Sequence, residues 1–189
     1  IISIHSFRGG TGKSNMAANV ATLLAAGGRR IGVVDTDIQS PGIHVLFGMT
    51  RETVTRSLND YLWGRCEIGK AAYDVTSRLD EGLAGRVFLI PSSSNPSDIA
   101  RVMHDGYDVG LLNQGVRDLM RELELDELII DTHPGLNEET LLSIAVCEAL
   151  AIVMRPDQQD YEGTSVAVSV ARKLSVPRMV LVVNNTPPA

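Results

Sequence analysis

The sequence predicts an α/β fold, a mainly parallel sheet with helices on both faces. Apolar runs with strand character alternate along the chain with stretches whose apolar residues recur at helical spacing. The runs at residues 128–130 and 180–183 are apolar throughout, as expected for parallel strands that are covered on both faces. A glycine-rich segment joins the first run directly to the first helical pattern. This order of elements predicts right-handed crossovers between neighbouring strands.

The predicted elements follow the apolar pattern in chain order. The candidate strands are residues 1–6, 30–35, 86–91, 127–131, 149–154 and 178–184. Candidate helices cover residues 15–26 and 108–124, where apolar side chains recur at helical spacing. A third helix is predicted over residues 160–175, and Pro177 is expected to terminate it. Residues 64–85 are the least regular part of the chain and receive no assignment.

Length and composition indicate one globular domain. The chain has 189 residues, 44% of them hydrophobic and 21% charged, which is ordinary for a soluble protein with a sizeable core. No apolar stretch approaches the roughly 20 residues of a membrane span. The first strand has no basic leader, so no signal peptide is expected, and the missing initiator methionine suggests a processed, trimmed or incomplete chain. The net charge of −6 argues mildly against non-specific DNA binding.

The two cysteines, Cys66 and Cys147, do not indicate a metal or redox site. They are far apart in sequence, and no Cys-x-x-Cys pair occurs. We expect buried or incidental thiols in a reducing cytoplasm.

The octet at residues 7–14 reads Phe-Arg-Gly-Gly-Thr-Gly-Lys-Ser and is the most informative part of the chain. A glycine-rich turn from a strand into a helix lets backbone N–H groups face a phosphate, and the helix N-terminus adds the positive end of its dipole. Lys13 is expected to reach the β- and γ-phosphates, and the Ser14 hydroxyl to bind Mg²⁺. The predicted nucleotide-binding residues of this loop are Gly9, Gly10, Thr11, Gly12, Lys13 and Ser14.

This loop departs from the strict G-x-x-x-x-G-K-[ST] pattern at its first position, which is Phe7. Its additional glycines, at positions 9 and 10, follow the basic residue Arg8. The chain uses arginine in preference to lysine elsewhere, so Lys13 suits a position that needs a compact point charge.

Carboxylates follow two other predicted strands. Asp35 ends the predicted strand 30–35, with Asp37 two residues further on, and Asp131 follows the apolar run 128–130 at the end of the strand 127–131. The carboxyl ends of parallel strands form the edge where ligands bind in open α/β sheets. A carboxylate beside a triphosphate would normally repel it, but with Mg²⁺ present it can orient a water for in-line attack.

These three motifs resemble, in the same order, those of the ParA/MinD ATPases. The loop is similar to the family's deviant Walker A sequence, Lys-Gly-Gly-x-Gly-Lys-Thr/Ser, with Arg8 in place of the leading signature lysine. Residues 35–37 resemble the Walker A′ segment, and residues 131–135 resemble Walker B with switch II. Many members have Asp-x-Pro-Pro-Gly there, whereas this chain has His133 at the first of the two prolines. Residues 37–48 and 58–62 look more like the MinD side of the family than the plasmid ParA side.

The resemblance implies a role for each matching residue. Asp37 would position the attacking water, Gly135 would sense the γ-phosphate through its N–H, and Asn184 would recognise adenine, with Asn185 as the alternative. The implied catalytic residues are Lys13, Asp37 and Arg8. The implied metal-binding residues are Ser14, Asp35 and Asp131.

Three implied roles stay open. Arg8 would reach across a dimer to the partner's nucleotide; the alternative is that it is a solvated loop residue or pairs with a local carboxylate. Asp157 lies in a run that resembles one near the family's dimer interface, so it could touch nucleotide across the dimer. We interpret His133 as a switch residue without proton chemistry, the alternative being a catalytic or pH-sensitive group.

The implied protein is a P-loop NTPase of the deviant Walker A (SIMIBI) class that uses ATP/ADP and Mg²⁺. It would act as an ATP-driven homodimerisation switch for spatial positioning or partitioning, as in cell division or the placement of chromosomes, plasmids or other cargo. Hydrolysis would be slow and stimulated by a protein partner. We expect a single nucleotide-binding domain over residues 1–189 that lacks the C-terminal part of a longer protein. We expect it in the cytoplasm, reaching a membrane or the nucleoid through that absent part.

Three alternative functions remain on the same fold. A metal-cluster assembly ATPase would need cysteines at the dimer interface or in a C-terminal pair. Cys66 and Cys147 match neither, and Cys147 is expected within the helix after switch II. A bacterial tyrosine kinase would need a tyrosine-rich tail, which this sequence does not show. A domain without catalysis is disfavoured because every phosphate-handling position is filled.

Overall fold

Seven strands form one sheet in the computed structural model, which describes residues 1–186 of the chain. The strands β1 to β7 are Ile2–His5, Arg30–Asp35, Tyr73–Asp74, Arg86–Ile90, Glu127–Asp131, Ala149–Met154 and Arg178–Val183. Their order across the sheet is β3-β4-β2-β5-β1-β6-β7, and all pairs are parallel except β3 with β4. The last three residues of the predicted domain, 187–189, lie outside the described residues.

Helices cover both faces of this sheet, so the predicted fold class is confirmed. The α-helices α1 to α8 of the described residues are Lys13–Ala26, Ile43–Leu46, Leu58–Leu62, Thr76–Leu79, Pro96–Asp105, Val109–Glu122, Glu138–Ala145 and Gln158–Lys173. A short 3₁₀ helix covers Ile68–Ala71. On β5, Ile129 packs in the core cluster of α1, whereas Leu128 and Ile130 pack in that of α6, as expected for a strand buried on both sides. Within residues 1–186, no helix combines the length and the apolar character needed to cross a membrane.

The structure adds one strand that the sequence pattern did not predict. β3 has two residues and pairs antiparallel with β4, Tyr73 opposite Leu89. The Tyr73 hydroxyl accepts a hydrogen bond from the Arg56 N–H at 2.7 Å. So short a strand carries no periodic pattern, which is why residues 64–85 looked irregular.

The strand and helix boundaries differ from the predicted ones by one or two residues at several ends, and one residue lies outside its predicted helix. α1 begins at Lys13 rather than at residue 15, directly after Gly12 in the left-handed conformation. α8 ends at Lys173, before Pro177 could terminate it, because Ser175 turns left-handed with φ 57°. Cys147 was wrongly placed within a helix: it follows the end of α7, where it is buried and packs against Leu150.

Gly85 makes a close backbone approach that a side chain would disrupt. Its N–H donates to the carbonyl of Ala25 at 2.8 Å. A Cβ at this position would overlap the Arg29 carbonyl oxygen and lie 2.7 Å from that of Ala25. Because these are backbone atoms of the last turn of α1 and of the connection to β2, we expect Gly85→Ala to lower the free energy of unfolding by about 2–3 kcal/mol.

Urea unfolding measures this change. Gly42→Ala is the control, because a Cβ at Gly42 would have no heavy atom within 4 Å. Equal unfolding midpoints for the two variants would contradict the close approach at Gly85.

Candidate functional site

The three sequence motifs meet at one edge of the sheet. β2, β5 and β1 are neighbours, and each ends at one of the motifs. The register pairs Asp35 of β2 with Asp131 of β5, and Asp131 with Ile4 of β1. The loop at residues 7–14 and the three aspartates therefore lie at the same carboxyl edge, where open α/β sheets bind ligands.

The glycine-rich loop forms a cradle at the N-terminus of α1. Gly10 and Gly12 have φ angles of 77° and 93°, in the left-handed region that favours glycine. The loop opens on a cavity of about 200 Å³ whose lining includes Lys13, Asp37 and Pro134. A polar cavity at a helix N-terminus fits a phosphate group.

A larger cavity of about 860 Å³ lies at the opposite end of the strands and is lined by residues such as Arg117 and Arg178. It contains none of the predicted site residues.

Phe7 explains why the loop does not need glycine at its first position. The ring packs against α8 at Gly163, where a Cβ would overlap it. Phe7 therefore fixes the start of the loop by packing on a helix. The sequence gives no sign of this contact, because the two residues are distant along the chain.

Lys13 and Asp131 form a buried ion pair in the site. The Nζ of Lys13 lies 2.6 Å from Oδ1 of Asp131, and the two side chains are 7% and 1% exposed. Burial raises the pKa of Asp131, while the charge of Lys13 and the hydroxyl of Ser14 oppose that shift. The predicted phosphate ligand and one predicted metal ligand thus neutralise each other in this structure.

Asp35 lies behind this pair and is fully buried. Its Oδ1 accepts a hydrogen bond from the Asp37 N–H at 3.0 Å, and its Oδ2 has no hydrogen-bond partner among the described residues. Burial, followed by the charges of Asp131 and Asp37, raises the pKa of Asp35 well above its usual range. A divalent cation nearby would offset this crowding of carboxylates, so the residues present fit Mg²⁺.

Protein side chains alone do not complete a metal site here. Within residues 1–186, no group of three or more His, Cys, Asp and Glu side chains is arranged to hold a metal ion. The predicted ligand set of Ser14, Asp35 and Asp131 would therefore depend on phosphate oxygens and water for the remaining positions, as is usual for Mg²⁺.

Two histidines belong to the site, and one of them was not predicted. His133 places Nδ1 2.6 Å from Oδ1 of Asp37. His5, at the end of β1, is buried and has Nδ1 2.9 Å from the Thr132 hydroxyl. That hydroxyl donates to the Ile4 carbonyl at 3.1 Å, so it accepts the proton of His5 Nδ1.

Burial, followed by the charges of Lys13 and His133, lowers the pKa of His5 to about 4. His5 is therefore neutral near pH 7 and adds no charge next to the loop. Its position two residues before the loop at residues 7–14 was the sequence feature that could have drawn attention to it.

Arg8 points away from the cradle toward the N-terminus of α8. Its guanidinium lies 3.6 Å from Asp157 and 3.5 Å from Asp160. Asp160 is almost fully buried and accepts a hydrogen bond from the Arg155 N–H at 2.8 Å. In the single chain Arg8 thus has local carboxylate partners, the alternative to a bridging role.

The two remaining predicted residues, Asn184 and Gly135, form hydrogen bonds with the loop or with Ser6 just before it. Asn184 follows β7, and its side-chain amide donates to the Thr11 carbonyl at 2.8 Å. Gly135 has φ 88°, and its N–H donates to the Ser6 carbonyl at 3.0 Å. For the Gly135 N–H to contact a γ-phosphate, its hydrogen bond to the Ser6 carbonyl would first have to break.

Comparison with known proteins places the chain among nucleotide-binding proteins. Residues 1–176 match a family described as AAA domain. An uncharacterized ATP-binding protein of Methanocaldococcus jannaschii is 30% identical over 183 residues, 97% of this chain and 63% of that protein. An iron–sulfur cluster carrier protein of Pyrococcus horikoshii is 27% identical over 188 residues, 97% of this chain and 60% of that protein. The chain thus spans less than two thirds of these relatives.

Among solved structures, the septum site-determining protein MinD of Pyrococcus horikoshii, complexed with Mg-ADP, superposes with a TM-score of 0.79. The alignment covers 96% of this chain and 68% of that one at 22% identity, which establishes a shared fold.

Proposed function

Because this chain belongs to the ParA/MinD family of P-loop ATPases, we propose that it is a Mg²⁺-dependent ATPase working as an ATP-driven dimerisation switch. The match to the AAA domain covers residues 1–176 of the chain. In such a switch, ATP favours the association of two protomers and hydrolysis separates them. The observation that carries this proposal is the placement of two cations of one loop: Lys13 lies buried in the cradle, whereas Arg8 is 39% exposed outside it.

Nucleotide binding would use the cradle and the buried ion pair. The phosphates would lie along Gly9–Ser14, and Lys13 would exchange Asp131 for phosphate oxygens. Asp131 would then be free to join Ser14 in holding Mg²⁺, with Asp35 supporting the metal shell. The bound Mg²⁺ would supply neutralisation of the phosphate charge. Asn184 is close enough to the loop to reach a base bound beside it.

Hydrolysis would depend on Asp37, which lines the same cavity as Lys13. A carboxylate at this position accepts a hydrogen bond from the attacking water and orients it for in-line attack. The chain mostly positions and neutralises reacting groups, so we propose slow turnover that a partner protein stimulates.

Dimerisation would depend on Arg8. Its contact with Asp157 joins side chains that are 39% and 43% exposed, and such solvated pairs contribute little. Its other partner, the buried Asp160, also accepts a hydrogen bond from the Arg155 N–H, so this carboxylate keeps a donor when Arg8 moves away. Two triphosphates that face each other across a dimer would repel, so a second cation gains most by crossing to the partner's nucleotide. Arginine suits this role because it stays charged and holds phosphate oxygens bidentately.

Sedimentation velocity with ATP tests the switch. Asp37→Ala, in which hydrolysis is blocked, should be dimeric with ATP and monomeric without it. Adding Arg8→Ala should keep ATP binding but leave the protein monomeric, whereas Arg8→Lys should preserve the dimer. Arg172→Ala in the same background is the control, because this exposed arginine lies at the far end of α8. Equal dimer populations with and without Arg8 would exclude its bridging role.

For the biological role we propose spatial positioning or partitioning in the cytoplasm, with a membrane or nucleoid surface engaged through a C-terminal part of a longer protein. The fold shared with the septum site-determining protein MinD supports this direction. Localisation of the full-length protein in cells tests this biological role. A uniform distribution of a variant in which ATP hydrolysis is blocked would contradict it.

A second candidate is metal-cluster assembly, favoured by the similarity to an iron–sulfur cluster carrier protein. The cysteines of this chain give this second candidate no support, because Cys147 is buried and its thiol donates a hydrogen bond to the Ile144 carbonyl. Anaerobic reconstitution with ferrous iron and sulfide distinguishes the two, since a thiol-bound cluster would absorb visible light.

A further inference from the structure

His133 contacts Asp37, the residue that is proposed to orient the attacking water. Its Nδ1 lies 2.6 Å from Oδ1 of Asp37, and the two side chains are only 21% and 13% exposed. We infer that His133 is a positioning residue that orients Asp37 for its contact with the attacking water. This inference rests on the proposed ATPase function and adds to it a residue that the family pattern does not supply.

The pairing follows from the register of the sheet. Asp35 and Asp131 are direct partners on β2 and β5, and Asp37 and His133 each lie two residues beyond them. The loops leave the sheet side by side, because the N–H and hydroxyl of Thr36 both donate to the Asp131 carbonyl at 3.0 Å. Equal offsets from a paired position therefore bring the imidazole and the carboxylate together.

The hydrogen bonds restrict how the Asp37 carboxylate can turn. Oδ1 accepts from His133 and also from the Ser40 N–H at 3.2 Å. Oδ2 of Asp37 has no hydrogen-bond partner within residues 1–186. With Oδ1 held by two donors, Oδ2 is the oxygen available to accept a hydrogen bond from water.

His133 is itself held in place by α7. Its carbonyl accepts a hydrogen bond from the Thr140 hydroxyl at 3.2 Å, and Asn137 caps the same helix through the Thr140 N–H at 2.8 Å. His133 thus links the first turn of α7 to Asp37, its carbonyl bonding Thr140 and its imidazole bonding the carboxylate. Proline, which many family members have at this position, has no side-chain donor and could not make the link.

The test compares His133→Ala, which removes the donor, with His133→Asn, whose amide can replace Nδ1 as a donor. Each is made alone and together with Asp37→Ala. Steady-state ATP hydrolysis gives kcat and KM, and titration with a fluorescent ATP analogue gives nucleotide affinity. His104→Ala is the control, because its side chain is 89% exposed on α5, outside the site.

We expect His133→Ala to lower kcat on the order of tenfold with ATP affinity within about twofold of wild type. His133→Asn should recover most of kcat. In the Asp37→Ala background, removing His133 should change kcat no further, because both residues act on one step.

Unchanged kcat in His133→Ala, or an equal loss with and without Asp37, would overturn the inference while leaving the ATPase function intact. Loss of ATP affinity in both His133 variants would also overturn it, since His133 would then shape the binding site. Absence of ATP hydrolysis by the wild-type protein, alone and with a stimulating partner, would instead contradict the proposed function and the inference with it.

Discussion

Lys13→Ala is expected to weaken the affinity for ATP by at least about a hundredfold, an effective loss of nucleotide binding. Lys13 is the cation of the cradle, and its Nζ is already buried at the position where phosphate oxygens would enter. A charge-assisted contact from a buried cation is among the strongest that a phosphate can make. Isothermal titration with ATP and Mg²⁺ measures the loss.

The variant has a second consequence that must be separated from the first. Removing Lys13 leaves Asp131 buried without its ion partner, which destabilises the fold even in the absence of nucleotide. Lys13→Ala combined with Asp131→Leu removes both charges and should recover thermal stability. Lys13→Met combined with Asp131→Asn also removes both charges, with a smaller loss of side-chain volume. If either stable double variant bound ATP with near-normal affinity, the phosphate-loop assignment would be wrong.

Asp37→Ala is expected to lower turnover by at least about a hundredfold while ATP affinity stays near that of wild type. Asp37 lines the cavity at the glycine-rich loop and, unlike Lys13 and Asp131, is not part of the buried ion pair that a bound phosphate would disrupt. Removing a group that orients water affects the transition state far more than the bound ground state. Single-turnover release of phosphate from ATP measures the effect directly.

The control for this variant is Asp105→Ala, a carboxylate on α5 outside the cavity. Its turnover should match wild type. Hydrolysis by Asp37→Ala at the wild-type rate would move the water-positioning role to another residue. A parallel loss of ATP affinity would show that Asp37 contributes to binding rather than to the chemical step.

Much of the site was predictable because its parts are local in sequence. The cradle needs glycines and a lysine next to each other between a strand and a helix, and residues 7–14 contain all of these. Asp35 and Asp131 each end an apolar run, so their placement at the carboxyl edge follows once the sheet is known to be parallel. Short or irregular features such as β3 were missed because they depend on contacts with distant residues.

The sequence by itself therefore determined the fold class, the glycine-rich loop between β1 and α1, and the edge of the sheet where the three motifs meet. Only the tertiary structure decided how the charged groups pair. Lys13 meets Asp131 across 118 residues and Asp37 meets His133 across 96, and both contacts depend on β5 lying between β1 and β2. Hydrophobic periodicity specifies that a strand is buried but not which strand is its neighbour. The strand order is set by how the whole core packs, and it is this order that places His133 on Asp37.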